Sequence, residues 1–143
     1  MTKWTIDEAR EHYNISGWGA GYFDINPKGN VVVRPNRHSK HDIDLKELVD
    51  DIQSKGYSLP VLIRFSDILK ASIANLANSF QRAIDEYGYN GRYHGVYPIK
   101  VNQQRQVVEE IVKFGQPYNI GLEAGSKPEL HAILAILDNP EAL

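Results

Sequence analysis

The sequence contains no cysteine, which excludes disulfides, thiolate metal sites and cysteine nucleophiles together. It has no apolar run near the roughly 20 residues that span a bilayer. Neither sign of charge dominates: 16 basic and 18 acidic side chains leave a formal net charge of −2. That balance lacks the polybasic footprint of a nucleic-acid or anionic-lipid binder. The opening Met1-Thr2-Lys3-Trp4-Thr5 leads directly into a charged amphipathic segment, without a signal-peptide apolar core. A cytoplasmic location is the simplest expectation. No internal repeat or low-complexity segment is visible, and His12, His38, His41 and His131 show no metal-ligand spacing. Gly17-Trp18-Gly19-Ala20-Gly21 is glycine-rich but is not the strand-to-helix turn that cradles a dinucleotide phosphate.

What is present is the composition of a soluble globular protein: 42% hydrophobic and 24% charged residues in a chain of 143, room for one ordinary domain. Thr5-Ile6-Asp7-Glu8 matches a capping box and predicts a short helix to Tyr13. Gly19 to Asn26 and Asn30 to Arg34 read as a hairpin around Asn26-Pro27-Lys28-Gly29, with glycine where positive φ is favoured. Trp4, Trp18, Tyr22 and Phe23 are most cheaply explained as local packing, and Arg34, Arg37, His38 and Lys40 as a solvated basic loop. Asp44 caps a helix to Lys55, with Gly56 to end it. Pro60 to Phe65 reads as a short buried strand. Ser66 then caps a long helix to Tyr87 with an apolar stripe from Ile68 to Ile84, ended by Gly88.

Further on, Tyr93 to Asn102 reads as a buried strand. Gln104 to Phe114 is helical with Gly115 at C′, Tyr118 to Leu122 is a strand, and Ser126-Lys127-Pro128-Glu129 opens another helix with a second capping box. Asn139-Pro140-Glu141 looks like one more cap. From Pro60 the order alternates strand and helix, which implies parallel strands joined by crossovers.

One stretch breaks the pattern. Tyr93-His94-Gly95-Val96-Tyr97-Pro98-Ile99-Lys100-Val101-Asn102 carries apolar residues up to a single lysine. Strand alternation puts His94, Val96, Pro98, Lys100 and Asn102 on one face, and Tyr97, Ile99 and Val101 on the other. If the sheet closes into a barrel, Lys100 and Asn102 stand at its C-terminal mouth, where active sites of such barrels lie. Two readings stay open. A desolvated lysine there has a lowered pKa and can attack a carbonyl; a strand-end lysine more commonly snorkels into water.

Neighbours carry the same ambiguity. Glu123 is placed by parity with Asn119 and Gly121 to face the same mouth, or it bonds amides at the next helix start. Asn102 either lines the site or makes a turn. Ser126 reads as a helix cap, Gly125 as a positive-φ residue before it, and His94 as a satisfied interior histidine.

Gly95-Val96-Tyr97-Pro98-Ile99-Lys100-Val101-Asn102-Gln103 followed by Gly121-Leu122-Glu123-Ala124-Gly125-Ser126-Lys127-Pro128-Glu129-Leu130 closely resembles the biosynthetic arginine decarboxylase family. Trp4…Ile15-Ser16-Gly17-Trp18-Gly19…Gly21-Tyr22-Phe23 and Leu59-Pro60-Val61-Leu62-Ile63-Arg64-Phe65 resemble the same family, so the resemblance covers nearly the whole chain. The lysine motif alone is shared more loosely with ornithine and diaminopimelate decarboxylases. The resemblance implies an α/β fold: an alanine-racemase-like (β/α)8 TIM barrel with a second, mostly β domain. Residues 1–59 would form a helix, hairpin and helix preceding the barrel, and residues 60–143 its first units.

The resemblance also implies a pyridoxal 5′-phosphate enzyme that decarboxylates L-arginine to agmatine in polyamine biosynthesis. Mg2+ is a further implied cofactor, and a homo-oligomer the implied assembly. Lys100 matches the lysine that holds the cofactor as a Schiff base, with Glu123 and Asn102 as further cofactor-binding candidates. Length departs from the family, because a (β/α)8 barrel takes about 250 residues. The expectation is therefore an N-terminal fragment, inactive by itself. A related decarboxylase of another basic or diamino acid, or a non-catalytic partner-binding module, are the alternatives.

Overall fold

The computed structural model describes residues 4–37 and 41–142; His38 and Lys40 of the expected basic run lie outside the described residues. The chain divides into two compact units, Met1–Ile68 and Leu69–Leu143. No helix among the described residues is long and apolar enough to cross a membrane.

In the first unit, α1 (Ile6–His12) opens on the expected capping box. Thr5 Oγ1 accepts from the Glu8 amide at 3.2 Å, and Glu8 Oε2 accepts from the Thr5 amide at 2.7 Å. The Thr5 hydroxyl, which also donates to Glu8 Oε2 at 2.8 Å, and then the Thr5 amide hold the Glu8 carboxyl below its ordinary value. The chain then departs from expectation. Instead of entering a strand at Gly19 it makes a second short helix, α2 (Ile15–Gly19), bracketed by Asn14 and Ala20 in the left-handed region. The turn is what places Ile15 in a small core with Ala9 and Ile25.

The hairpin comes next, with a shortened first strand: β1 (Phe23–Ile25) pairs antiparallel with β2 (Val31–Val33). Gly29 takes φ +84°, and Asn26 Oδ1 accepts from the amides of Lys28 and Asn30, both at 3.0 Å. A two-residue strand that the sequence pattern does not signal, β3 (Ile43–Asp44), adds to β2. Asp44 then caps α3 (Leu45–Ser54), its Oδ1 accepting from the Lys46 amide at 2.9 Å and the Glu47 amide at 3.2 Å. Its other oxygen accepts from the side-chain amides of Asn26 and Asn30 at 2.8 and 2.9 Å. One carboxylate thus ties the hairpin turn to the helix start, and Asn30, foremost, holds its pKa down. Gly56, φ +89°, stands just beyond α3 as expected.

Arg34 is not the solvated residue expected of the basic run, whereas Arg37 is exposed as expected. Arg34 bonds Asp24 at 2.8 Å and Asp42 at 3.0 Å, while the Arg37 guanidinium lies 4.3 Å over the Tyr22 ring. Asp24 also takes Arg10 Nε at 2.7 Å. The expected strand over Pro60–Phe65 does not form; Val61, Ile63 and Phe65 are half-buried, and Leu62 is exposed. Alternation of exposure survives there, but no described strand forms a ladder with the segment.

The long α4 (Ser66–Tyr87) starts and ends where expected, with Gly88 at φ +58°. Its stripe is less buried than the pattern implies: Leu76 and Phe80 stay exposed and Ala77 is the buried residue. Phe80 is nonetheless engaged, stacked on Tyr93 with ring centroids 4.0 Å apart.

In the second unit, β4 (Val96–Pro98) and β5 (Gly121–Glu123) pair parallel, as the alternation requires, with Pro98 opposite Glu123. Both are shorter than expected. β4 stops at Pro98 and gives way to a 3-10 turn over Ile99–Val101; a second such turn, Gln116–Tyr118, precedes β5. Between the strands runs α5 (Arg105–Gly115), and α6 (Lys127–Leu134) comes after β5. One face of α5 sets Val108 with Ile99, Leu122 and Ile133; the other sets Val107 and Ile111 against Ile120. Gly115 is not a positive-φ residue past the helix. It is the last helical residue, and a Cβ there would stand 2.8 Å from the Ile120 Cβ. Asn119, at φ 53°, provides the left-handed break instead.

Burial raises the Asp24 carboxyl, but the hydrogen bond from Arg10, the Ile25 amide and the charges of Arg10 and Arg34 outweigh it, leaving the group below an ordinary aspartate. Asp24→Asn should cost on the order of 2 kcal/mol at pH 7, because two arginines lose a charged acceptor in a half-buried site. A carboxyl depressed in the fold stabilises above about pH 4, its unfolded value, and loses that contribution as pH falls through the folded value. Urea midpoints of the two proteins are therefore expected to differ at pH 7 and to converge in acid.

Candidate functional site

Lys100 comes after the last ladder pair of β4 rather than sitting within the strand. Parity therefore fails beyond Pro98. The 3-10 turn rotates Ile99 into the core, 3% exposed, and turns Val101 outward, 69% exposed. Expected on one face, these two residues take opposite fates. The swing leaves the Lys100 side chain 63% exposed at the C-terminal end of the parallel pair. Ligands of open and closed parallel sheets bind at that end.

Glu123 ends β5 level with Pro98, and its Oε1 lies 4.0 Å from Lys100 Nζ. The structure thus brings these two sequence candidates together. With Glu123 itself half-exposed, the pair is at the outer limit of an ion pair, and such contacts contribute little to stability.

Asn102 is nearby but occupied. Its Oδ1 accepts from the Gln104 amide at 3.1 Å, a turn that leads into α5, and its carbonyl accepts from the Tyr97 hydroxyl at 3.4 Å. Ser126 is the helix cap that its spacing implies: Oγ accepts from the Glu129 amide at 3.4 Å. The box is not reciprocal, however. Glu129 sends Oε2 to the Gly125 amide, 2.6 Å, and Oε1 to the Gln103 side-chain amide, 3.3 Å. Gly125 does not take the positive φ expected of it; a Cβ there would meet Glu129 Oε2 at 3.4 Å. From the sequence Glu129 reads only as a capping-box residue, and Gln103 does not stand out. A charged residue at cap spacing is the one signal available there.

Beside this end of the strands lies a cavity of about 210 Å³ bordered by Ile99, Gln103, Val108, Ser126, Glu129 and Ile133. A larger cleft, about 490 Å³, lies at the opposite end, lined by Arg92, Tyr93, His94 and Asn119 among others. His94 is exposed there, not an interior histidine. The larger volume is the less informative one, because it sits at the N-terminal strand ends, away from the lysine and the carboxylate. Among the described residues no group of three or more histidine, aspartate or glutamate side chains gathers to hold a metal.

The arrangement defines an α/β protein with an accessible amine and a carboxylate at the carboxyl ends of two parallel strands. No family model matches the chain, but individual proteins do. The biosynthetic arginine decarboxylase of Gloeobacter violaceus is 57% identical over 143 residues, all of this chain and 22% of that protein. That of Phocaeicola vulgatus is 52% identical over the same 143 residues, again 22% of its length. Among solved structures, the biosynthetic arginine decarboxylase SpeA from Campylobacter jejuni superposes with a TM-score of 0.81 at 36% identity, covering 90% of this chain and 21% of that one. Along its whole length, then, the chain is related to biosynthetic arginine decarboxylases, and it spans about a fifth of the length of the relatives it matches.

Because Lys100 and Glu123 are exposed and 4.0 Å apart, Glu123→Gln should shift folding stability by no more than about 0.5 kcal/mol. A urea titration of the purified variant checks it; a larger loss would mean that the pair is structural.

Proposed function

We propose that the chain is part of a pyridoxal 5′-phosphate-dependent decarboxylase that converts L-arginine to agmatine and CO2, with Lys100 as the cofactor lysine. The observation that carries this reading is the placement of the Lys100 amine beyond the end of a parallel strand, 4.0 Å from the Glu123 carboxylate. Identity of 57% to an arginine decarboxylase over the whole segment supports arginine as the substrate.

The residues present fit the aldehyde end of such a cofactor. A primary amine more than half exposed is open to a carbonyl, and no described ion pair closer than Glu123 holds it. When bound, the cofactor supplies the electron sink for the bond to the departing carboxylate. The chain's own residues orient and neutralise. Lys100 Nζ would hold the aldehyde carbon of the group, and Glu123 Oε1, 4.0 Å from it, would pair with the lysine head group whenever the amine is free. Burial of Ile99 limits how far the lysine backbone can move while this happens. Asn102 acts through its turn, keeping the Lys100 segment joined to α5.

In this reading β4, α5, β5 and α6 are units of a (β/α)8 barrel of the alanine-racemase type, and the first unit accompanies a second, β-rich domain. The parent enzyme works in cytoplasmic polyamine biosynthesis as a homo-oligomer. Mg2+ is assigned to no described residue.

The test is chemical. The full-length protein, loaded with pyridoxal 5′-phosphate, is reduced with borohydride, digested and mapped. Covalent cofactor is expected on the Lys100 peptide, and Lys100→Ala should lose both the visible absorbance of the bound cofactor and arginine decarboxylation while keeping its circular dichroism. Label on a different lysine would overturn the assignment.

A further inference from the structure

We propose that Glu129 is a positioning residue that holds the loops carrying Lys100 and Glu123 in register. The proposal rests on the reading of Lys100 as the cofactor lysine. Its starting point is that the Lys100–Glu123 pair cannot hold itself: at 4.0 Å between two half-exposed or exposed side chains, the attraction is too weak to fix either one. Something else must set their spacing.

Glu129 is placed to do so. Its two carboxylate oxygens go to two different loops. Oε2 accepts from the backbone amide of Gly125, just beyond Glu123, at 2.6 Å; Oε1 accepts from Nε2 of Gln103, just beyond Lys100, at 3.3 Å. Bonds from donors to an ionised carboxylate are the stronger class of hydrogen bond. The Gly125 arm turns back toward the start of its own helix, as a cap does; the Gln103 arm reaches out of α6 to a side chain 26 residues away in sequence.

The base from which Glu129 reaches is rigid. Its amide donates to Ser126 Oγ at 3.4 Å, and α6 is anchored by Ile133 in the same cluster as Ile99 and Leu122. Those two residues adjoin Lys100 and Glu123 in the chain. Apolar packing from below and the Glu129 brace from above therefore constrain the same two segments. At Gly125 a Cβ would stand 3.4 Å from Glu129 Oε2, in contact with the same carboxylate.

Glu129→Gln tests the brace in the full-length, cofactor-loaded protein, because the amide must turn a donor toward one of two donors. Expected is a fall in kcat with arginine of about 10-fold or more, the usual cost of losing an orienting contact, with KM and cofactor content nearly unchanged. Amide exchange at Gly125 should quicken, and Gln103→Ala, which removes one arm, should show a smaller fall in kcat. Unchanged kcat with a lowered melting temperature would reduce Glu129 to a structural cap and overturn the proposal. Unchanged Gly125 exchange would overturn the brace whichever lysine carries the cofactor. Borohydride label away from Lys100 would instead overturn the functional reading, and the two failures are thereby distinguished.

Discussion

Burying Ile99 is what exposes Lys100. In an extended strand the neighbours of a buried residue face the opposite side of the sheet, and both faces of a parallel sheet are ordinarily covered. The 3-10 turn after Pro98 escapes that constraint. It keeps Ile99 among Val108, Leu122 and Ile133 while releasing Lys100 and Val101 to the surface. A fully buried isoleucine contributes roughly 1.5–3 kcal/mol, enough to hold the turn against fraying. The amine reaches solvent without loosening its backbone.

The second unit builds outward from that anchor. Proline at the end of β4 donates no ladder bond, so the strand stops there. Glu123, its register partner, stops β5 at the same level. The segment beyond each strand is polar and tied down by hydrogen bonds: Asn102 to the Gln104 amide, Glu129 to Gly125 and Gln103. Rigid scaffold below and cross-linked loops above is the usual arrangement for a site that must hold a reactive group in place.

The first unit achieves order differently. Its apolar core around Ala9, Ile15 and Ile25 is small, and small cores remain marginal by themselves. Carboxylates serve as cross-links. Asp24 joins α1 to the hairpin through Arg10 and Arg34, and Asp44 joins the hairpin turn to α3. Each of these acids satisfies several donors at once, which is why their pKa values fall.

Much of this is legible in the residue order, and the reason is locality. Capping boxes, the Asn-Pro-Lys-Gly turn, the apolar stripe of α4 and the terminating glycines at 56 and 88 act within a few residues of themselves. So does the lysine motif, although its residue types left both a reactive and a solvated lysine open and only the family resemblance pointed to a chemistry. The failures are all nonlocal. Pro60–Phe65 reads as a strand but finds no described partner, because pairing is a property of two segments. Gly115 reads as a positive-φ residue, yet it stays helical and its Cβ space is claimed by Ile120, a contact that the helix pattern does not display. Sequence by itself determined where the capped helices and the hairpin lie and that an amine belongs at the end of a strand. Only the tertiary structure decided where that strand stops, which side Lys100 faces and that Glu123 lies 4.0 Å away, since each depends on which distant side chains compete for the same buried volume.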